Sequence, residues 1–256
     1  MEHSNCLNCK TPVALKFCPN CGQKADTHRI TLKHFVAHDL LHGVWHIDKG
    51  IWFTLKQAIG RPGKAALEYI EGQRISYYNV FYLCLLVIGF DALVLHFIHE
   101  LYPAPKEFTA ANNTGGHFVA DYAKYLLLAI VPILSFNAWL VFRKLKLNLA
   151  EHFILGGMSL LLLLLTGTLM IVSTLLVLPF HSEDLSYGLL YLFMLLAILS
   201  PMRVYWNATG GFYKGSKRFG SIVLFGILVY VQLCGILYLI LKSLSEDGII
   251  RMHVRI

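Results

Sequence analysis

Phe153-Ile-Leu-Gly-Gly-Met-Ser-Leu-Leu-Leu-Leu-Leu-Leu-Thr-Gly-Thr-Leu-Met-Ile-Val-Ser-Thr-Leu-Leu-Val-Leu178 carries no charged side chain. It exceeds the roughly 20 residues a helix needs to cross a hydrocarbon core of about 30 Å. A bilayer accepts such a segment because a helix satisfies its own backbone while its side chains stay in hydrocarbon. Further apolar runs lie at Val80–Ile98, Tyr122–Phe142, Leu189–Tyr205 and Ser221–Leu241. The expected fold is an all-α integral membrane protein with about five transmembrane helices. The run Leu189–Tyr205 is the shortest, and as a re-entrant loop it would bring the C-terminus to the same side as the N-terminus.

Composition agrees. Hydrophobic residues make up 56% of the chain and charged residues 14%, against about 25% charged in a soluble protein. The formal charge of +7 does not require nucleic acid, because Lys and Arg gather on cytoplasmic flanks beside anionic lipid. Met1 to Gln23 has no apolar core of the kind a signal peptide needs, so the first span is expected to direct insertion. Arg143, Lys144 and Lys146 follow the second span, and Arg203, Lys214, Lys217 and Arg218 separate the fourth from the fifth. The other loops are poorer in positive charge, which orients the N-terminus inside and the C-terminus outside.

Four of the six cysteines form two Cys-x-x-Cys turns, Cys6-Leu-Asn-Cys9 and Cys18-Pro-Asn-Cys21. Two such turns supply the four thiolates of a tetrahedral structural zinc site with no open position, and Gly22 relieves the second turn. So small a segment cannot fold by burial alone, so Zn2+ binding would be its folding energy. Redox thiols or an unmetallated tail are the alternatives. Basic and aromatic residues are few there (Lys10, Lys16, Phe17), which disfavours nucleic acid.

Between the knuckle and the first span the chain is basic and punctuated. Thr31 can cap a helix running to about His42, Ile51 to Ile59 reads as a second short helix, and Lys64 to Ile70 reads as a third after Arg61-Pro62-Gly63. All are too short to span, so they lie on the membrane surface or pack under the bundle. His34, His38, His42 and His46 recur every fourth residue. They read first as the polar face of an interfacial helix, with a second metal or a pH-sensitive contact as the sharper alternative. Arg61, Lys64 and Arg74 read as an anchor for lipid phosphates. Within the spans, Asp91 is the costliest side chain, and with His96 it forms a candidate intramembrane polar site. The scattered Asn, Ser, Thr and Gln residues read as interhelical hydrogen bonders. No catalytic motif is present.

The order of motifs is specific: Cys6-Leu-Asn-Cys9, Phe17-Cys-Pro-Asn-Cys-Gly-Gln-Lys24, Arg29-Ile-Thr-Leu32, Asp48-Lys-Gly50, Arg61-Pro-Gly63 and Tyr69-Ile-Glu-Gly-Gln-Arg74. From Cys6 to about Val80 this resembles a bacterial membrane-protein family, domain of unknown function number 3667. The resemblance implies a zinc-ribbon head on a protein of the bacterial cytoplasmic (inner) membrane, and no known reaction. A looser, architectural similarity is to the five-span Yip family. The expected division is a zinc-ribbon-like knuckle at 1–24, basic interfacial helices at 25–78, a five-span domain at 79–243 and a short tail at 244–256. The expected function is that of a non-enzymatic adaptor or assembly factor, with membrane lipids and a protein partner or a second copy as partners. The alternative is a lipid- or small-solute-handling protein, such as a scramblase or transporter.

Overall fold

The computed structural model describes residues 5–25, 27, 29–31, 50–101, 127, 129–177 and 183–246. The helix expected after Thr31, the row His34, His38, His42 and His46, the start of the second span and the tail beyond Glu246 lie outside the described residues. Two short helices, α1 (Gly50–Gly60) and α2 (Pro62–Ile70), precede α3 (Val80–Leu101). Then come α4 (Ala129–Val141), a single 3-10 turn at Arg143–Leu145, α5 (Leu149–Val177), α6 (Glu183–Thr209) and α7 (Gly215–Glu246). Helices α3, α5, α6 and α7 are long and apolar enough to cross a membrane, and α4 is a shorter apolar helix within the described residues. The protein is an all-α membrane protein.

Several helices run past their apolar stretches, because hydropathy marks what faces lipid while local hydrogen bonds mark where a helix ends. Helix α5 starts at Leu149 through a reciprocal cap: the Glu151 N–H donates to Asn148 Oδ1 at 2.9 Å and the Asn148 N–H to Glu151 Oε2 at 2.8 Å. Helix α6 is one continuous helix of 27 residues rather than a re-entrant loop. Its internal Pro201 has no N–H for the carbonyl of Ala197, and the Ser200 hydroxyl donates to that carbonyl instead, at 2.9 Å.

Of the two placements open to the short helices, α1 and α2 take the packed one. An ideal Cβ on Gly63 would lie 2.1 Å from the Val204 carbonyl oxygen and 2.4 Å from the Ala208 nitrogen, so α2 rests backbone to backbone on α6. Pro62 occupies the first turn of α2, where its missing N–H costs nothing. The Lys64 N–H is capped from α6 by Asn207 Oδ1 at 3.0 Å, and Arg203 donates to the Ile59 carbonyl at the end of α1. Beneath this contact Phe142, Tyr205 and Phe225 form a fully buried aromatic cluster, with Phe142 stacked on Tyr205 at 5.0 Å and Tyr205 against Phe225 at 4.7 Å.

Candidate metal centre and its docking contacts

The two Cys-x-x-Cys turns fold into matching loops. In each, the first cysteine's N–H donates to a carbonyl five residues on, Cys6 to Thr11 at 2.8 Å and Cys18 to Gln23 at 2.8 Å. In each, the residue after the second cysteine is left-handed, Lys10 at φ 63° and Gly22 at φ 77°, and its N–H returns to the first cysteine's carbonyl at 2.9 Å. Isolated bridges, Asn5 with Pro12 and Phe17 with Lys24, close the two loops.

The loops face each other so that the Sγ atoms of Cys6, Cys9, Cys18 and Cys21 all lie within 4.8 Å of one another. Cys6 and Cys21 are 3.5 Å apart, as are Cys9 and Cys18. A tetrahedral ion held at a metal–sulfur distance of about 2.3 Å needs sulfurs about 3.8 Å apart, so the four thiols fit one ion. Cys6 and Cys18 are buried. Hydrogen bonding from the side chain and backbone of Thr11 pulls the Cys9 thiol down to about 5, whereas burial pushes Cys21 up to about 11. A cation bound among the four sulfurs would favour the thiolate form of each.

The knuckle is joined to the membrane domain by contacts that no single motif announces. Gln23 is buried; its amide donates to the Gly72 carbonyl at 2.7 Å, and its Oε1 accepts the N–H groups of Arg74 and Ile75 at 3.2 and 3.3 Å. Ser76 donates to Asn8 Oδ1 at 2.9 Å. Gly72 has φ +107°, and a Cβ there would lie 2.5 Å from Leu7 Cδ1. The Gly-Gln-Arg stretch before α3 is thus the seat of the knuckle.

A second tie follows. Arg29 reaches both carboxylate oxygens of Glu151, at 2.6 and 2.7 Å, and the Lys146 carbonyl at 2.9 Å, while Asn148 Nδ2 donates to the Ile30 carbonyl at 2.9 Å. The Glu151 side chain is 2% exposed and that of Arg29 61%, so the two halves of the pair are not equivalent. Arg29→Ala strands a buried carboxylate and is expected to cost about 3 kcal/mol. Glu151→Ala strands no buried charge and removes mainly a cap, about 1 kcal/mol. Thermal unfolding of both variants in the same detergent checks this order, and equal losses would contradict it.

Among the anticipated lipid-anchoring residues, Arg61 is held by Glu68 at 2.5 and 3.1 Å and by Gln57 at 2.5 Å. Tyr77 donates to the same Glu68 carboxylate at 2.5 Å, and its burial beside that charge pushes the phenol well above its ordinary value. Arg74 lies over the Tyr69 ring at 5.8 Å, and Lys64 is exposed. Asp91 accepts from Thr168 at 2.8 Å, whereas His96 is exposed on α3 beside Phe97, so the described contacts do not bring the two together. Asn137 and Gln232 bond each other at 2.7 Å, and Ser159 and Thr166 bond within their own helix.

Gln23, Arg29, Glu151, Gly63 and Asn207 were missed from sequence as structural determinants. The pattern Asn148-x-x-Glu151 before an apolar run was a readable cap. The other contacts join distant positions and leave no local signal.

Residues 48–90 match the model of a family described as protein of unknown function (DUF3667). The matched segment holds α1, α2, the knuckle's seat and the first half of α3, while the four cysteines lie outside it. No curated protein and no solved structure matches the chain.

Proposed function

We propose that this protein is a non-enzymatic membrane adaptor or assembly factor, whose zinc-organised head presents a docking surface to a cytoplasmic protein. The observation that carries the reading is the two-sidedness of the head. One side is tied to the bundle through Gln23 and Arg29. Leu15 and Phe17, on the linker between the two loops, make none of these contacts and are 72% and 53% accessible. A tetrathiolate site with no open position is structural, and it suits zinc. The cations Arg143, Lys144, Arg203, Lys214 and Lys217 lie in the loops and helix ends at the knuckle end of the bundle, which supports reading that end as cytoplasmic, where thiols stay reduced.

Transport is the weaker reading. A polar path through the spans needs side chains free to meet a solute, and those at Asp91, Asn137, Thr168 and Gln232 are bonded to one another.

A photo-crosslinking side chain placed at Leu15 or Phe17 in living cells tests the adaptor. One discrete protein adduct is expected at both sites, lost when Cys18→Ser is added. No adduct at either site, or an adduct that survives Cys18→Ser undiminished, would remove the basis for the reading.

A further inference from the structure

Between α4, α5, α6 and α7 lies a cavity of about 470 Å³, walled by apolar side chains that include Leu134, Leu163, Ala197, Pro201 and Leu233, with the Met202 side chain of α6 packed against Gly226 of α7 in its wall. Its lip is formed by Ile198 and Ile227, each more than half exposed, so it opens at the outer surface of the helices. In water such a groove would mark a protein interface. Here three of the four helices that form it are long and apolar enough to cross a membrane, so the solvent around it is itself hydrocarbon.

Two features select the occupant. The first is length. The groove runs along α7 from Val223 to Leu233, about 15 Å at 1.5 Å per residue, which is half of a hydrocarbon core of about 30 Å. That is the depth of one leaflet, and so of one acyl chain.

The second is charge. At the knuckle end of the groove, Met202 is followed by Arg203, while Lys214 and Lys217 are exposed at the start of α7. Arg218 lies 4.0 Å over the Trp206 ring and donates to the Trp206 carbonyl. The sequence has no acidic residue between Asp184 and Glu246, so the acidic groups of α6 and α7 lie only at the ends of these helices remote from the turn that carries the cations. An aromatic–cation pair with free lysines, beside the end of an apolar groove, matches a phosphate headgroup and its tail.

We propose that this groove holds one acyl chain of an anionic phospholipid from the leaflet on the knuckle side, with its headgroup on Lys214, Lys217 and the Arg218–Trp206 pair. The bound lipid fills the space beside the Met202–Gly226 contact that the described side chains leave open. This inference stands apart from the adaptor reading, because it concerns a different surface and needs no protein partner.

The test uses the full chain in mild detergent with equal amounts of phosphatidylglycerol and phosphatidylcholine of matched chains, read by native mass spectrometry. One retained phosphatidylglycerol is expected. Lys214→Ala and Lys217→Ala should each lower its preference over phosphatidylcholine about fivefold, and Ala197→Phe should remove retention of both lipids. A parallel measurement on the unaltered chain avoids any folding defect of Ala197→Phe. Vesicles containing phosphatidylglycerol with a photo-reactive group in its acyl tail should label 197–202 and 223–233. The proposal is overturned by labelling spread evenly over the outward faces of α3 and α5. It is equally overturned by a folded Ala197→Phe variant that keeps its lipid, or by a lipid-free dimer in which a second copy fills the groove.

Discussion

Replacing Cys18 with serine is expected to lower bound metal from one ion per chain to background and to release residues 5–25 to proteolysis, while the helices of the bundle persist. Structural tetrathiolate sites contribute about 10–16 kcal/mol of apparent binding free energy in small peptides. The described knuckle contains little else that could order it: two isolated bridges, a few turn hydrogen bonds and the buried side chains of Cys6, Cys18 and Gln23. When one thiolate is lost, the remaining three can close a tetrahedron only by recruiting water, a weaker and exposed site, and Gln23 is then no longer held against Gly72, Arg74 and Ile75. The bundle is solvated by lipid and needs no metal, so far-ultraviolet helicity should change little. Acid should act in the same direction, because protons compete with the ion for thiolate sulfur. Metal analysis combined with limited proteolysis gives the answer: a Cys18→Ser protein that keeps its ion, or an ion-free head that stays protected, would show that the loops fold without metal.

The second large effect is expected from a single added methyl group. Gly63→Ala places a Cβ 2.1 Å from the Val204 carbonyl oxygen and 2.4 Å from the Ala208 nitrogen. Both are backbone atoms of a helix and cannot turn aside as a side chain can. Helix α2 must therefore lift away from α6, losing the Lys64–Asn207 cap and the Arg203–Ile59 contact. Alanine favours a helix over glycine by about 1 kcal/mol. Overpacking costs about 1–3 kcal/mol, and each lost hydrogen bond about 1 kcal/mol more, so the clash wins and a net loss of about 3 kcal/mol is expected. Gly60 makes the control, since nothing lies within 4 Å of a Cβ there. Gly60→Ala should leave the midpoint of thermal unfolding unchanged or raise it. If both variants melt together, α2 does not press on α6 as described.

Much of the architecture was legible before any contact was known, and the reason differs from element to element. The spans around Val80, Phe153 and Ser221 are set by transfer between water and hydrocarbon, which depends on each residue's own chemistry. The thiol cluster was legible because metal ligation demands a residue type at a short, regular spacing, and Cys6, Cys9, Cys18 and Cys21 do converge. Helix ends were less legible: the apolar run Leu189–Tyr205 lies inside a helix that extends from Glu183 to Thr209, because backbone hydrogen bonding continues past the residues that hydropathy marks. Arg61 was read as an anchor for lipid phosphate, and its contacts with Glu68 and Gln57, seven and four residues away along the chain, were not anticipated.

The sequence by itself determined the solvent of each segment and the ligand set of the candidate metal site, since both follow from side-chain type and local spacing. Only the tertiary structure decided that Gln23 fastens the knuckle to Gly72, that Arg29 closes on Glu151, and that Gly63 lets α2 touch α6. Each of these joins positions from 49 to more than 120 residues apart along the chain. Their partners are chosen by the register in which helices pack, which is a property of the whole bundle and is written in no single stretch of it.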